Sequence, residues 1–141
     1  MKPTTFEHVF VEFIPTDLHD GMLYVSIPYA TVVHQCACGC GNKVVTPISP
    51  TDWQLLFDGE SISLTPSIGN WGFPCRSHYW IKSNTVKWVA GWTDAQVAAG
   101  RSRDTTDREA YFASRVAPAD VPATQPDRRR FARLRRWLRL G

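Results

Sequence analysis

From Met22 to Trp92 the chain alternates short apolar runs with polar or glycine-containing breaks, the rhythm of half-buried strands rather than of helices. Met22 to Val33 (MLYVSIPYATVV) is dense in β-branched and aromatic residues and reads as extended chain, with Pro28 marking an edge or a bulge. Lys43 to Ile48 is a second short run. WQLLFDGESISL sets Asp58-Gly59 between two alternating segments, a strong short-range hairpin signal, and HYWIKSNTVKWVAGW repeats the arrangement around Ser83-Asn84. Trp53, Phe57, Trp80 and Trp88 are the expected core aromatics. The predicted fold class is mainly β: a small antiparallel domain with an α-helical C-terminal extension.

The pattern changes after Trp92. Thr93 and Gln96 have capping-box spacing, and Gly100 is expected to end the short helix they open. Thr106 and Glu109 repeat the box and predict a second helix to about Val116, stopped by Pro118. Pro118, Pro122 and Pro126 make residues 117–127 a semi-rigid linker. RRRFARLRRWLRLG then places Phe131, Leu134 and Leu138 on one stripe of a basic amphipathic helix. The expected organisation is a β domain over 1–92, a helical extension over 93–116, a linker over 117–127 and a basic helix over 128–141.

Length and charge narrow the function. A chain of 141 residues suits one domain with its own core plus a tail. No segment approaches the roughly 18 apolar residues of a membrane span, and MKPTTFEHVF lacks the basic-then-apolar order of a signal peptide, so a cytoplasmic protein is expected. The net charge of +3 is unevenly spread: residues 1–92 carry five basic and seven acidic side chains, and residues 128–141 carry seven arginines and no acid. A basic binding surface over the whole domain is therefore excluded. Attachment to nucleic acid or a membrane would rest on the tail alone, and neither partner is expected.

Chemistry concentrates in two stretches. HQCACGCGN, residues 34–42, spaces Cys36, Cys38 and Cys40 at every second position. In an extended strand the outer two would stand roughly 13 Å apart. Thiolates sharing one tetrahedral zinc, each at about 2.3 Å from it, lie only about 4 Å apart. The chain must curl, and Gly39 and Gly41 give it the freedom to do so. In a reducing compartment such a cluster reads as metal ligands rather than disulfides. CRSHYW, residues 75–80, offers Cys75 and His78 to complete a structural zinc site that would staple the domain. The four cysteines close it alone, or Cys75 and His78 join two of the first three. His34 reads as a surface residue, with a metal ligand or an alternative base as the other readings.

If His78 is free of metal, the same stretch holds a candidate hydrolytic centre. Ser67 lies in P-S-I-G-N, read as a turn whose Gly69 and Asn70 amides converge on an oxyanion. Ser77 is the other candidate nucleophile, but adjacent strand residues face opposite ways, which disfavours a Ser77–His78 dyad. Ser67 is preferred, with His78 as its base. Asp52 and Asp58 are candidates to orient that base. The alternative for P-S-I-G-N is an ordinary strand-ending turn in which Ser67 bonds nearby backbone.

VEFIP, C-A-C-G-C-G, VVTPISPTDW, TPSIGNW and CRSHYWI, spread from Phe10 to Val89, together resemble a bacterial family of small metal-binding proteins encoded beside ubiquitin-like conjugation systems. The resemblance implies a serine-dependent peptidase or isopeptidase that processes or removes a ubiquitin-like modifier. It implies that Cys36, Cys38, Cys40 and Cys75 hold zinc and that Ser67, Ser77 and His78 lie at or near the reactive centre. The implied partners are the ubiquitin-like protein or its conjugates and the fused activating and conjugating enzyme. The competing function is a non-catalytic zinc module that recognises the modifier or that enzyme.

Overall fold

The computed structural model describes residues 4–116; the linker and basic helix expected over 117–141 lie outside them. Eight strands form two four-stranded sheets. β1 (Glu7–Phe10), β2 (Met22–Ser26), β3 (Thr31–Gln35) and β4 (Lys43–Pro47) make the first, in that order. β5 (Gln54–Phe57), β6 (Ile62–Gly69), β7 (His78–Lys82) and β8 (Thr85–Trp88) make the second. Among the described residues a single helix, α1 (Asp94–Arg115), follows. All pairings are antiparallel except β1 with β2, which is parallel. No helix among the described residues is long and apolar enough to cross a membrane.

Turn chemistry sets the register where the sequence predicts it. Gly59 is left-handed (φ 95°) in the β5–β6 turn, while Ser83 and Asn84 (φ 48° and 61°) make the two-residue β7–β8 connection. Met22 to Val33 is two strands rather than one run. Pro28 sits in the turn between them, closed by the Ala30 amide donating to the Ile27 carbonyl at 3.1 Å.

The inward faces of both sheets share one core: Leu23, Val25, Val32 and Val44 from the first, Ile62, Leu64, Ile68, Tyr79 and Ile81 from the second. Tyr79 and Phe6 are its buried aromatics. The tryptophans expected there lie further out: Trp53 is half-buried against the core, Trp80 is half-buried, and Trp88 and Phe57 are 46% and 42% exposed. Period-two alternation assigns faces, but it does not say which aromatic lands on the inner one.

The helix corrects a second expectation. Thr93 and Gln96 do form the capping box, the Gln96 amide donating to Thr93 Oγ1 at 3.2 Å and the Thr93 amide to Gln96 Oε1 at 2.8 Å. Gly100, however, does not end the helix. It is buried within it, because a Cβ there would lie 2.9 Å from the Trp92 ring. Thr105 and Thr106 donate their hydroxyls to the carbonyls of Arg101 and Ser102, one turn back, so the second box is never used.

Candidate active site and metal centre

Two loops meet at one end of the molecule. The first, residues 36–42, is closed by the last β3–β4 pair, Gln35 with Lys43, and by the Cys36 amide donating to the Asn42 carbonyl at 2.8 Å. Gly39 and Gly41 are left-handed there (φ 88° and 81°), the curl that the cysteine spacing requires. The second, between β6 and β7, is closed by the Asn70 amide donating to the Ser77 carbonyl at 2.8 Å. It carries Cys75.

The loops bring Cys36, Cys38, Cys40 and Cys75 together, with all four sulfurs within 4.8 Å of one another. Cys36 Sγ lies 3.4 Å from Cys38 Sγ and 3.9 Å from Cys75 Sγ, and Cys40 Sγ lies 3.8 Å from Cys75 Sγ. These separations bracket the roughly 3.8 Å edge of a tetrahedron of sulfurs around one zinc and are far longer than a disulfide. Four cysteines are thus close enough to hold a metal ion. Thiols so placed cannot all ionise without a cation. Burial pushes Cys36 up and Cys38 to about 12, while the Asn42 main-chain amide, hydrogen-bonded to the sulfur, brings Cys40 down to about 7. A coordinated divalent ion reverses that balance by stabilising every thiolate at once.

His78 is not part of the sulfur cluster. Its Nε2 lies 2.9 Å from Ser67 Oγ and its Nδ1 2.9 Å from the Ala90 carbonyl oxygen. A carbonyl only accepts, so Nδ1 carries the proton and Nε2 accepts from the Ser67 hydroxyl. The pairing depends on a bulge. Between the partners Leu64↔Ile81 and Ile68↔Tyr79, β6 advances four residues while β7 advances two. The cis Thr65–Pro66 bond lies inside this bulge. Beyond it Ile68 and Asn70 point to the core, leaving Ser67 and Gly69 on the opposite face beside His78, the strand partner of Gly69.

The same alternation divides the C-R-S-H stretch. Cys75 and Ser77 turn to the sulfurs, with Ser77 Oγ 3.0 Å from Cys36 Sγ and 2.9 Å from Asn70 Nδ2, which donates to it. Arg76 and His78 turn to the other side. His78 is buried there under Trp71 and Trp92, whose rings stack 5.5 Å apart and meet the imidazole edge-on at 4.9 and 5.3 Å.

Several expectations are corrected here. The structure brings Ser67 to His78 and turns the Ser77 hydroxyl toward the sulfur cluster, so the two His78 nitrogens meet Ser67 and the Ala90 carbonyl rather than Ser77 or a cysteine. The Asn70 amide is used in closing the loop and its side chain in the Ser77 network, so Asn70 is not an open oxyanion donor. P-S-I-G-N is strand through Gly69 rather than turn. Asp52 accepts from Ser49 and pairs with Arg108, and Asp58 caps its own hairpin turn; neither orients His78. His34 is fully buried, its Nε2 2.8 Å from Tyr79 Oη, because β3 turns it inward against Phe6, and burial lowers its pKa to about 3. Ala90, Trp71, Trp92 and Arg76 escaped sequence reasoning. A backbone carbonyl has no residue signature, and the tryptophans read simply as aromatics in strands and turns.

Fold and site together define a small, mainly β protein with a four-cysteine centre and, beside it, a hydrogen-bonded serine–histidine pair. The chain belongs to the bacterial ubiquitination-like system serine protease family (BubE), whose family model matches residues 10–89. No curated protein and no solved structure matches the chain.

Proposed function

We propose that the protein is a serine peptidase or isopeptidase that processes or removes a ubiquitin-like modifier, with Ser67 as nucleophile, His78 as base and a structural zinc held by Cys36, Cys38, Cys40 and Cys75. The observation that carries this reading is the continuous relay from Ser67 Oγ through His78 to the Ala90 carbonyl, with both links at 2.9 Å. The family name supplies the reaction class and the setting.

Ser67 Oγ attacks the scissile carbonyl carbon as its proton passes to His78 Nε2. The imidazolium so formed is stabilised by the Ala90 carbonyl at Nδ1. It then protonates the departing amine, leaving an acyl ester on Ser67 that water hydrolyses by the same route in reverse. Antiparallel pairing turns the Gly69 amide away from β7, and this amide is assigned to the oxyanion. Zinc, when bound, supplies charge and rigidity to the two loops. Held by Cys36, Cys38, Cys40 and Cys75, it would be a structural ion rather than a site for substrate. The modifier and its conjugates are the proposed partners, with the fused activating and conjugating enzyme as a second, and a reducing cytoplasm is the setting that keeps the ligand thiols available.

The test compares Ser67→Ala with Ser77→Ala on a fusion of the modifier to a fluorescent protein, with zinc content measured in parallel. Ser67→Ala is expected to lose cleavage by about a thousandfold or more while keeping its metal. Ser77→Ala is expected to cleave in proportion to its metal-loaded fraction. Wild-type cleavage by metal-loaded Ser67→Ala would overturn Ser67 as nucleophile, and a metal-loaded wild-type chain that does not cleave the fusion would favour the non-catalytic recognition module.

A further inference from the structure

Trp92 lies beyond the stretch matched by the family model, yet it forms one wall of the site. Its ring stands 5.3 Å from the imidazole of His78, at 73° to it, and stacks on Trp71 with an interplanar angle of 15°. Trp71 in turn lies so close over Gly69 that a Cβ on that residue would be 2.4 Å from the indole nitrogen. Trp92 is held through its backbone by Arg76 and through its ring by Gly100. Its carbonyl accepts from Arg76 Nη2 at 3.2 Å, the same nitrogen pairs with Asp94 at 3.0 Å, and the ring fills the space left by Gly100 in α1.

Arg76 is itself constrained. It holds a left-handed backbone (φ 43°), a conformation that a non-glycine residue adopts at a cost, with its guanidinium carbon 5.7 Å from the Trp71 ring centre. It sits between Cys75 and Ser77, both turned to the sulfurs. The Ala90 carbonyl that receives His78 Nδ1 belongs to the segment these contacts secure, two residues before Trp92.

We propose that Trp92, held by Arg76 and Gly100, is a positioning residue: it keeps the His78 imidazole in the plane and tautomer that present Nε2 to Ser67. This rests on the reading of Ser67 and His78 as nucleophile and base. Trp92 touches no reacting atom. It acts by walling the imidazole edge-on beside Trp71 and by anchoring the segment that carries the Ala90 carbonyl. Without the wall, the ring gains rotational freedom and the Nδ1–H···O=C bond loses its fixed acceptor.

The experiment uses the full, metal-loaded chain and an alkyl fluorophosphonate. In the labelling step Ser67 Oγ bonds to phosphorus, fluoride leaves, and the hydroxyl proton passes to His78. Labelling rate is measured beside the nitrogen-15 spectrum of the His78 ring at one fixed pH, which reads the tautomer directly. Trp92→Ala is expected to slow labelling by about 10- to 100-fold and to replace the Nδ1–H pattern with an average of tautomers. Trp92→Phe is expected to recover most of the rate. Should Trp92→Ala fold poorly, Arg76→Gln, a change at a partly exposed side chain, is expected to slow labelling by about three- to tenfold with a smaller shift of the same signals. Rates within twofold of wild type in the folded variants overturn the proposal. So does a slowed rate with the Nδ1–H pattern intact. A wild-type chain that is never labelled at Ser67 instead overturns the nucleophile reading, an outcome distinct from both.

Discussion

On one side of the β6–β7 loop, four sulfurs from two loops converge within 4.8 Å; on the other, a serine and a histidine meet through a single 2.9 Å hydrogen bond under two stacked tryptophans. Both sides draw on the same four residues, Cys75 to His78, whose side chains alternate between them. The sulfur side brings Cys36, Cys38 and Cys40 of one loop against Cys75 of another far along the chain, so a metal bound there would tie the two loops together. The reactive side is secured by aromatic packing, a bulge and a backbone carbonyl, and losing one of these leaves the sheets joined. The comparison separates what holds the domain together from what orients the hydroxyl.

Stripping the metal should do the most damage, because it attacks the side on which the other depends. Chelation is expected to cost on the order of 5 kcal/mol of stability, enough to unfold a domain of this size, and thermal melting with and without chelator reads it directly. The reactive side should break without that collapse. Ser67→Ala is expected to leave the melting midpoint nearly unmoved while cleavage falls by about a thousandfold or more, since the hydroxyl is half-buried and makes no contribution to the core.

Gly69→Ala sharpens the same division. Its new Cβ would meet the Trp71 indole at 2.4 Å, forcing the ring off His78. The expected cost is about 1–3 kcal/mol by denaturant titration, with a clear fall in cleavage and unchanged zinc content. Ser77→Ala acts on the other face. It leaves the Asn70 side chain and Cys36 without their shared hydroxyl, so about 1–2 kcal/mol and some zinc retention are expected to go, measurable by competition with a colorimetric chelator. The smallest effect is expected at Arg108→Ala. Its pair with Asp52 is 2.7 Å long, but the arginine side chain is half exposed, so denaturant titration should find under about 1 kcal/mol.

The four-cysteine cluster was legible in the sequence because a site able to hold a metal constrains residue type and spacing together. Three cysteines at alternate positions with interleaved glycines demand a curl, and the curl is there, with Gly39 and Gly41 left-handed. The hairpins at Asp58-Gly59 and Ser83-Asn84 were legible for a similar reason, since their turns require particular backbone angles. The reactive side was legible only in part. Ser67 and His78 could be nominated, and strand alternation argued against a Ser77–His78 dyad. The bulge that lines β6 up with His78, the carbonyl that fixes its tautomer and the burial of Gly100 beneath Trp92 arise from tertiary packing. Gly100 shows the limit clearly: a glycine can end a helix or make room for a neighbour, and only the position of Trp92 decides which.

The division of labour can be read from a single covalent label. Treating the metal-loaded protein with an alkyl fluorophosphonate and mapping the adduct by peptide mass spectrometry should place it on Ser67, with His78→Ala abolishing it. An adduct on Ser77, or none on a preparation that still cleaves its modifier fusion, would contradict the assignment of the two faces.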